Sequence, residues 1–194
     1  MEDKLISTPS QTVGPFFHLG MARAEWADLT ADHPAGEKIA IEGRVIDGDG
    51  APVPDAIIEL WQANAAGRYN HPDDPQTDKP LDPHFRGFGR VATDAEGHFR
   101  VVTIKPGPVP GRGNALQAPH INIALFARGL LTHLFTRIYF ADESANVSDP
   151  LLTSIEDTAA RRSLLAQRSA SGSPPLYHFD IVLQGENETV FLDI

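Results

Sequence analysis

Arg90-Val91-Ala92-Thr93-Asp94-Ala95-Glu96-Gly97-His98-Phe99-Arg100-Val101-Val102-Thr103-Ile104 is the stretch from which the fold is best read. Two runs holding valine, threonine, phenylalanine and isoleucine, the residues that suit a pleated, half-buried surface, flank Asp-Ala-Glu-Gly. Aspartate opens such a reversal with its own side chain, and glycine closes it because it tolerates positive φ. The pattern predicts two strands joined by a hairpin-like turn.

The same grammar repeats outward along the chain. Ile39, Ile41 and Val45 mark a strand that ends at Asp47-Gly48-Asp49-Gly50, and Ala56 to Trp61 follows as the next. Further runs span 121–127, 134–140, 177–183 and 189–194. Short strands at this spacing, punctuated by 16 glycines and 16 prolines, predict a mainly β fold. An antiparallel β-sandwich with long loops fits better than alternating strands and helices. One segment breaks the pattern. Ser154 to Arg168 holds helix formers without glycine or proline, so a single helix in the C-terminal half is expected. Ser154 would cap it, acidic residues would fill its first turn, and Arg168 would lie near its end.

Residues 38–194 read as one sandwich domain. Residues 1–37 read as an N-terminal arm, with Pro9, Pro15 and Pro34 and no clear periodicity. Gly14-Pro15-Phe16-Phe17 sets two aromatics beside a rigid turn, and rings of that size are costly to leave in water. The arm is expected to dock, on its own sandwich or, as the preferred reading, on a partner subunit. Residues 70–89 form a loop too long for a passive connection.

A chain of 194 residues is long enough for one domain with a substantial core. Its net charge of −10 and pI near 5.1 argue against nucleic acid or an anionic membrane as partner. An anionic small molecule would need a local positive group, for which Arg128 is a candidate. Cysteine is absent, which excludes disulfides and thiolate metal sites. The N-terminus shows no apolar signal-peptide run, and no stretch approaches membrane-span length. A cytoplasmic chain is the expectation.

Three segments carry a more specific signal: Trp61-Gln62-Ala63-Asn64-Ala65-Ala66-Gly67-Arg68-Tyr69, Lys105-Pro106-Gly107-Pro108-Val109-Pro110-Gly111-Arg112, and Gln117-Ala118-Pro119-His120-Ile121-Asn122-Ile123. Together they resemble the intradiol ring-cleaving dioxygenases. That resemblance implies a ferric ion held by two tyrosines and two histidines, one tyrosine closing the first segment, one inside the second, and both histidines on the third. This chain keeps Tyr69 and His120 but has Val109 and Asn122 at the other two positions. Gln117 stands where the iron-bearing chains carry an arginine, and Arg137 stands where they carry a glutamine. The resemblance therefore implies no metal ligands and no catalytic residues here. Tyr69 is expected as a buried or loop tyrosine with a bonded hydroxyl, and His120 as a satisfied core histidine.

The opening Thr8-Pro9-Ser10-Gln11-Thr12-Val13-Gly14-Pro15, the segment Phe126-Ala127-Arg128-Gly129 and the closing Gln184-Gly185-Glu186-Asn187-Glu188-Thr189-Val190-Phe191 are similar to the non-iron alpha chains found within that family. The implication is a small aromatic substrate and an Fe(3+) cofactor held by a partner beta chain, not by this chain. Thr12, Gly14, Pro15, Phe16 and Arg128 would face the partner's iron pocket and bind substrate there. Phe16 departs from the tyrosine known in related alpha chains. Two other readings compete: a self-sufficient catechol-type intradiol dioxygenase, and a sandwich binding module without a catalytic partner. The remaining histidines are scattered, and no nucleophile elbow, phosphate loop or calcium loop is present.

Overall fold

The computed structural model describes residues 9–111, 113 and 115–193. Residues 1–8, where the arm begins, lie outside that range. Eleven strands dominate: β1 (Lys38–Ile46), β2 (Ile57–Trp61), β3 (Phe88–Ala92), β4 (His98–Ile104), β5 (Val109–Pro110), β6 (Leu116–Gln117), β7 (His120–Phe126), β8 (Leu134–Phe140), β9 (Leu165–Arg168), β10 (Leu176–His178) and β11 (Ile181–Val182). One leaf is built on β1, which pairs antiparallel with β4 and parallel with β10 and β11. The other runs β8-β7-β2-β3, antiparallel throughout. β9 pairs with β10 and with β8, so it carries hydrogen bonding from one leaf to the other. The sandwich is therefore mixed rather than purely antiparallel.

Alternation decides what lies between the leaves. Ile39, Ile41, Val45, Phe99 and Val101 face Ile58, Leu60, Ile121, Ile123, Leu125, Ile138 and Phe140 in one core. Many of these are fully shielded from solvent. Each such side chain is worth roughly 1.5–3 kcal/mol when removed from water. Burial at every second position also fixes register, because a one-residue slip would turn the whole set outward.

The turn at 94–97 forms as the sequence suggests, but its flanking strands do not pair with each other. Asp94 Oδ1 accepts from the amides of Glu96 and His98 at 3.0 and 2.8 Å, and Gly97 takes φ +74°. β3 pairs instead with β2, and β4 with β1 along seven residues. Thr93 explains the parting. Its buried hydroxyl accepts from Ala56 N at 2.9 Å and donates to Val53 O at 2.8 Å, which anchors the chain to the 53–56 segment as it crosses between leaves.

The single helix expected over 154–168 is absent. In its place stand α2 (Pro150–Ser154), α3 (Thr158–Arg162) and the strand β9. Asp149 and Asp157 cap the two helices through their carboxylates, while Ile155 is extended at φ −86°, ψ 105°. Ser154 ends a helix rather than starting one. Leu164 and Ala166 carbonyls are taken by the amides of Tyr139 and Ala141 on the edge of β8. Sheet hydrogen bonds outweigh a weak helix propensity over this span. The run 189–194 likewise yields only an isolated bridge, Phe135 with Leu192.

The arm contains a helix, α1 (Pro15–Met21), started at Gly14. It lies on the outer face of the second leaf. Phe17 packs against Phe126 with centroids 5.6 Å apart, Trp26 sits over the Arg90 guanidinium at 4.6 Å, and Leu29 N bonds Val102 O. Among the described residues no helix is long and apolar enough to cross a membrane.

Candidate functional site

β7 links two candidate regions, one on its outer face and one just past its end. Ile121, Ile123 and Leu125 point into the core, so His120, Asn122, Ala124 and Phe126 share the outer face. Asn122 stands opposite Trp61 on β2 and opposite Arg137 on β8, while His120 stands opposite Tyr139. Cross-strand neighbours on one face lie within side-chain reach, and here they all bond or stack.

Tyr69 arrives from the loop after β2. Gly67 makes that approach possible: it takes φ +78° and a Cβ there would fall 2.0 Å from Pro108 O. Asn64 Oδ1 accepts from the amides of Ala66 and Arg68, and Lys79 Nζ donates to the carbonyls of Gly67 and Pro108. Both loops are thereby tied together. The Tyr69 ring stacks on Trp61 at 5.6 Å and 20°. Its hydroxyl accepts from Asn122 Nδ2 at 3.2 Å. Val109 and Tyr69 line the same cavity, about 650 Å³, with Trp61, His71, Gln76 and Pro110.

Arg137 closes the other side. Its Nε donates to Asn122 Oδ1 at 3.0 Å, and its Nη1 donates to Gln117 Oε1 at 2.5 Å and to the Tyr139 hydroxyl at 3.2 Å. Tyr139 in turn donates to Asp149 Oδ1 at 3.1 Å. Asp149 is fully buried and also accepts from the amides of Ala118, Leu151 and Leu152. His120 Nδ1 bonds Ala118 O at 2.8 Å. Burial, reinforced by the nearby Arg137 charge, pushes the His120 imidazole down to about 4. Burial also raises the Tyr69 and Tyr139 phenols above their ordinary value.

These donors do not fit ferric iron. A hard trivalent ion needs anionic oxygen donors, yet Tyr69 is held as a phenol, position 109 is a valine, and Asn122 gives its amide to Tyr69 and its carbonyl to Arg137. Tyr69 and His120 take the places read for them in the sequence: a tyrosine with a bonded hydroxyl and a satisfied, buried histidine. Among the described residues, one other group brings metal-type ligand atoms within 4.8 Å of each other, Asp94, Glu96 and His98. Asp94 there is already committed to its own turn.

The second region lies at the far end of β7. Arg128 Nη2 bonds Asp55 Oδ2 at 3.0 Å, with both side chains about half exposed. Gly129 N donates to the Thr12 hydroxyl at 2.8 Å, and Gly14 O accepts from Phe17 N at the start of α1. Thr12, Gly14 and Arg128, widely separated in sequence, thus gather at one strand end, with Pro15 opening the helix. Phe16 remains 80% exposed and Leu19 73%, so the outer side of α1 is uncovered among the described residues. β7 runs four residues past Asn122 to Phe126, about 13 Å at 3.3–3.4 Å per residue, and Arg128 lies in the turn two residues beyond. Arg128 does not reach the Tyr69–Arg137 cluster of its own chain.

Sequence reasoning missed Tyr139 and Asp149. Pro150 after Asp149 marks a helix start, which was the available signal, but nothing local showed that this carboxylate is sealed from water.

Residues 13–185 match the family described as dioxygenase, and the chain belongs to that family. It is 42% identical to the protocatechuate 3,4-dioxygenase alpha chain of Pseudomonas putida, over 97% of both chains. It is also 44% identical to the protocatechuate 3,4-dioxygenase beta chain of Burkholderia cepacia, over 93% of this chain and 77% of that one. Among solved structures it resembles the dioxygenase domain of a carbohydrate-binding fusion protein from Streptomyces sp. SirexAA-E, at TM-score 0.64 and 28% identity, covering 92% of this chain and 99% of that one.

Proposed function

We propose that this chain serves as the non-iron alpha-type subunit of a protocatechuate 3,4-dioxygenase, working in the cytoplasm with a beta chain that holds the Fe(3+). Together they would form the site in which 3,4-dihydroxybenzoate is cleaved by O2 to 3-carboxy-cis,cis-muconate. The ring bond between the two hydroxyl-bearing carbons breaks, and both oxygen atoms enter the new carboxylates. Residues of the beta chain would hold the ferric ion, and the chemistry it would supply there is activation of the ring towards O2. This chain contributes walls and charge: Arg128 meets the substrate carboxylate, and Thr12, Gly14, Pro15 and Phe16 shape the pocket from across the subunit boundary.

One observation carries the reading. At the chain's own family ligand positions Val109 and Asn122 stand in place of donors and Asn122 is bonded to Arg137, while Phe16 and Arg128, past the other end of β7, stand open to solvent. A self-sufficient intradiol dioxygenase would need the first region, and a binding module would leave the second unexplained. The test is co-expression with an iron-bearing beta chain. Stable co-purification and ring cleavage dependent on both chains are expected; full activity from the beta chain alone would overturn the reading.

A further inference from the structure

Arg137 is not merely one more replacement around a lost metal position. Three of its contacts are to neutral oxygen acceptors: the Asn122 carboxamide, the Gln117 carboxamide and the Tyr139 hydroxyl. The first of these acceptors occupies a family ligand position, and its amide holds the tyrosine of another. Behind Tyr139 the sealed carboxylate of Asp149 supplies a negative charge that offsets this half-buried cation. A cation with directional donors, oxygen acceptors around it and a carboxylate one bond further out is the arrangement of an occupied cation site.

We propose that the Arg137 guanidinium is the resident cation of this chain, so that the site excludes metal ions by charge and not only by its missing donors. The protein has exchanged a dissociable ion for a covalently attached one. Two like charges that share the same few acceptors repel, so an incoming metal would have to displace Arg137. The inference concerns the isolated chain and is independent of the proposed pairing; either can fail alone.

Restoring the donors separates the two explanations. In the Val109→Tyr, Asn122→His double variant, ferric citrate should load poorly while Arg137 is present. Adding Arg137→Gln should tighten apparent iron binding at least about tenfold, read as metal content after desalting and as visible tyrosinate-to-iron absorption. Arg137→Lys in the same background keeps the charge and should stay iron-poor. Equal loading by the double variant and its Gln derivative, or loading of the Lys derivative like the Gln one, overturns the proposal. A second measurement avoids the engineered donors altogether. Millimolar guanidinium should raise the Tm of Arg137→Ala and leave that of the parent chain unchanged; no selective rise would also overturn it.

Discussion

Asn122 stands directly opposite Arg137 across β7 and β8, and its carboxamide is held between the guanidinium at 3.0 Å and the Tyr69 hydroxyl at 3.2 Å. The amide's orientation is fixed from both sides, since its oxygen faces a cation and its nitrogen a phenol. A side chain that would be a poor metal ligand becomes the link between β8 and the loop that carries Tyr69.

Arg128 tests the other end. Its guanidinium is about half exposed and, among the described residues, tied to Asp55 alone, so it can turn to an anionic group supplied from outside. A charge-assisted hydrogen bond contributes roughly 1.5–3 kcal/mol. Arg128→Ala in the assembled enzyme should lower kcat/KM for protocatechuate about ten- to a hundredfold. Catechol, which lacks the carboxylate, should lose little. Steady-state rates on both substrates check this, and equal losses would reassign Arg128 to holding the interface.

The two neighbouring rings of the arm should behave differently. Phe17 packs on Phe126 within the chain, so Phe17→Ala should lower the chain's own stability by about 1–2 kcal/mol. Phe16 is 80% exposed, so Phe16→Ala should leave the Tm of the isolated chain unchanged and weaken association with the beta chain. Thermal unfolding and sedimentation of the mixed chains separate the two effects. Unchanged association after Phe16→Ala would confine the arm to an intramolecular role.

Asp149 should be among the most sensitive polar positions. Its carboxylate satisfies three backbone amides and the Tyr139 hydroxyl while fully buried. Asp149→Ala leaves those donors without partners, at about 1–3 kcal/mol for each that water does not reach. A loss of about 3–5 kcal/mol is expected, measured by denaturant unfolding. A loss below about 1 kcal/mol would mean that α2 and Ala118 find other acceptors.

His120 predicts an acid limb in stability. Its folded value of about 4 lies below the ordinary 6.5, so the folded state favours the neutral ring. As pH falls below about 6.5 the unfolded chain takes a proton that the folded chain refuses, and stability drops until about pH 4. At 1.36 kcal/mol per pH unit the fall is about 3 kcal/mol. Comparing unfolding free energies at pH 7 and pH 4.5 for the parent chain and His120→Gln isolates the term. An identical acid slope in both would refute it.

Much of this was legible in the residues. Period-two runs located the main strands, because burial of alternate side chains is written directly into the chain. Val109 and Asn122 announced a broken ligand set, and Arg137 was already visible as a foreign charge. What stayed hidden depends on partners distant in sequence. Thr93 sends β3 and β4 to different leaves through bonds to residues 53 and 56. The helix read over 154–168 gave way because the β8 edge takes the carbonyls of Leu164 and Ala166, and no local propensity reports a waiting edge. The Tyr69–Asn122–Arg137 chain joins loop, strand and strand, and only folding brings them together.

The spacing along β7 has a consequence for how substitutions combine. Substitutions more than about 7–10 Å apart with no shared partners act independently, and the length of β7 beyond Asn122, about 13 Å, separates the two regions. Changes around Tyr69 and Asn122 should therefore add to changes at Arg128 in their effect on stability, with no compensation passing between the two ends of the strand.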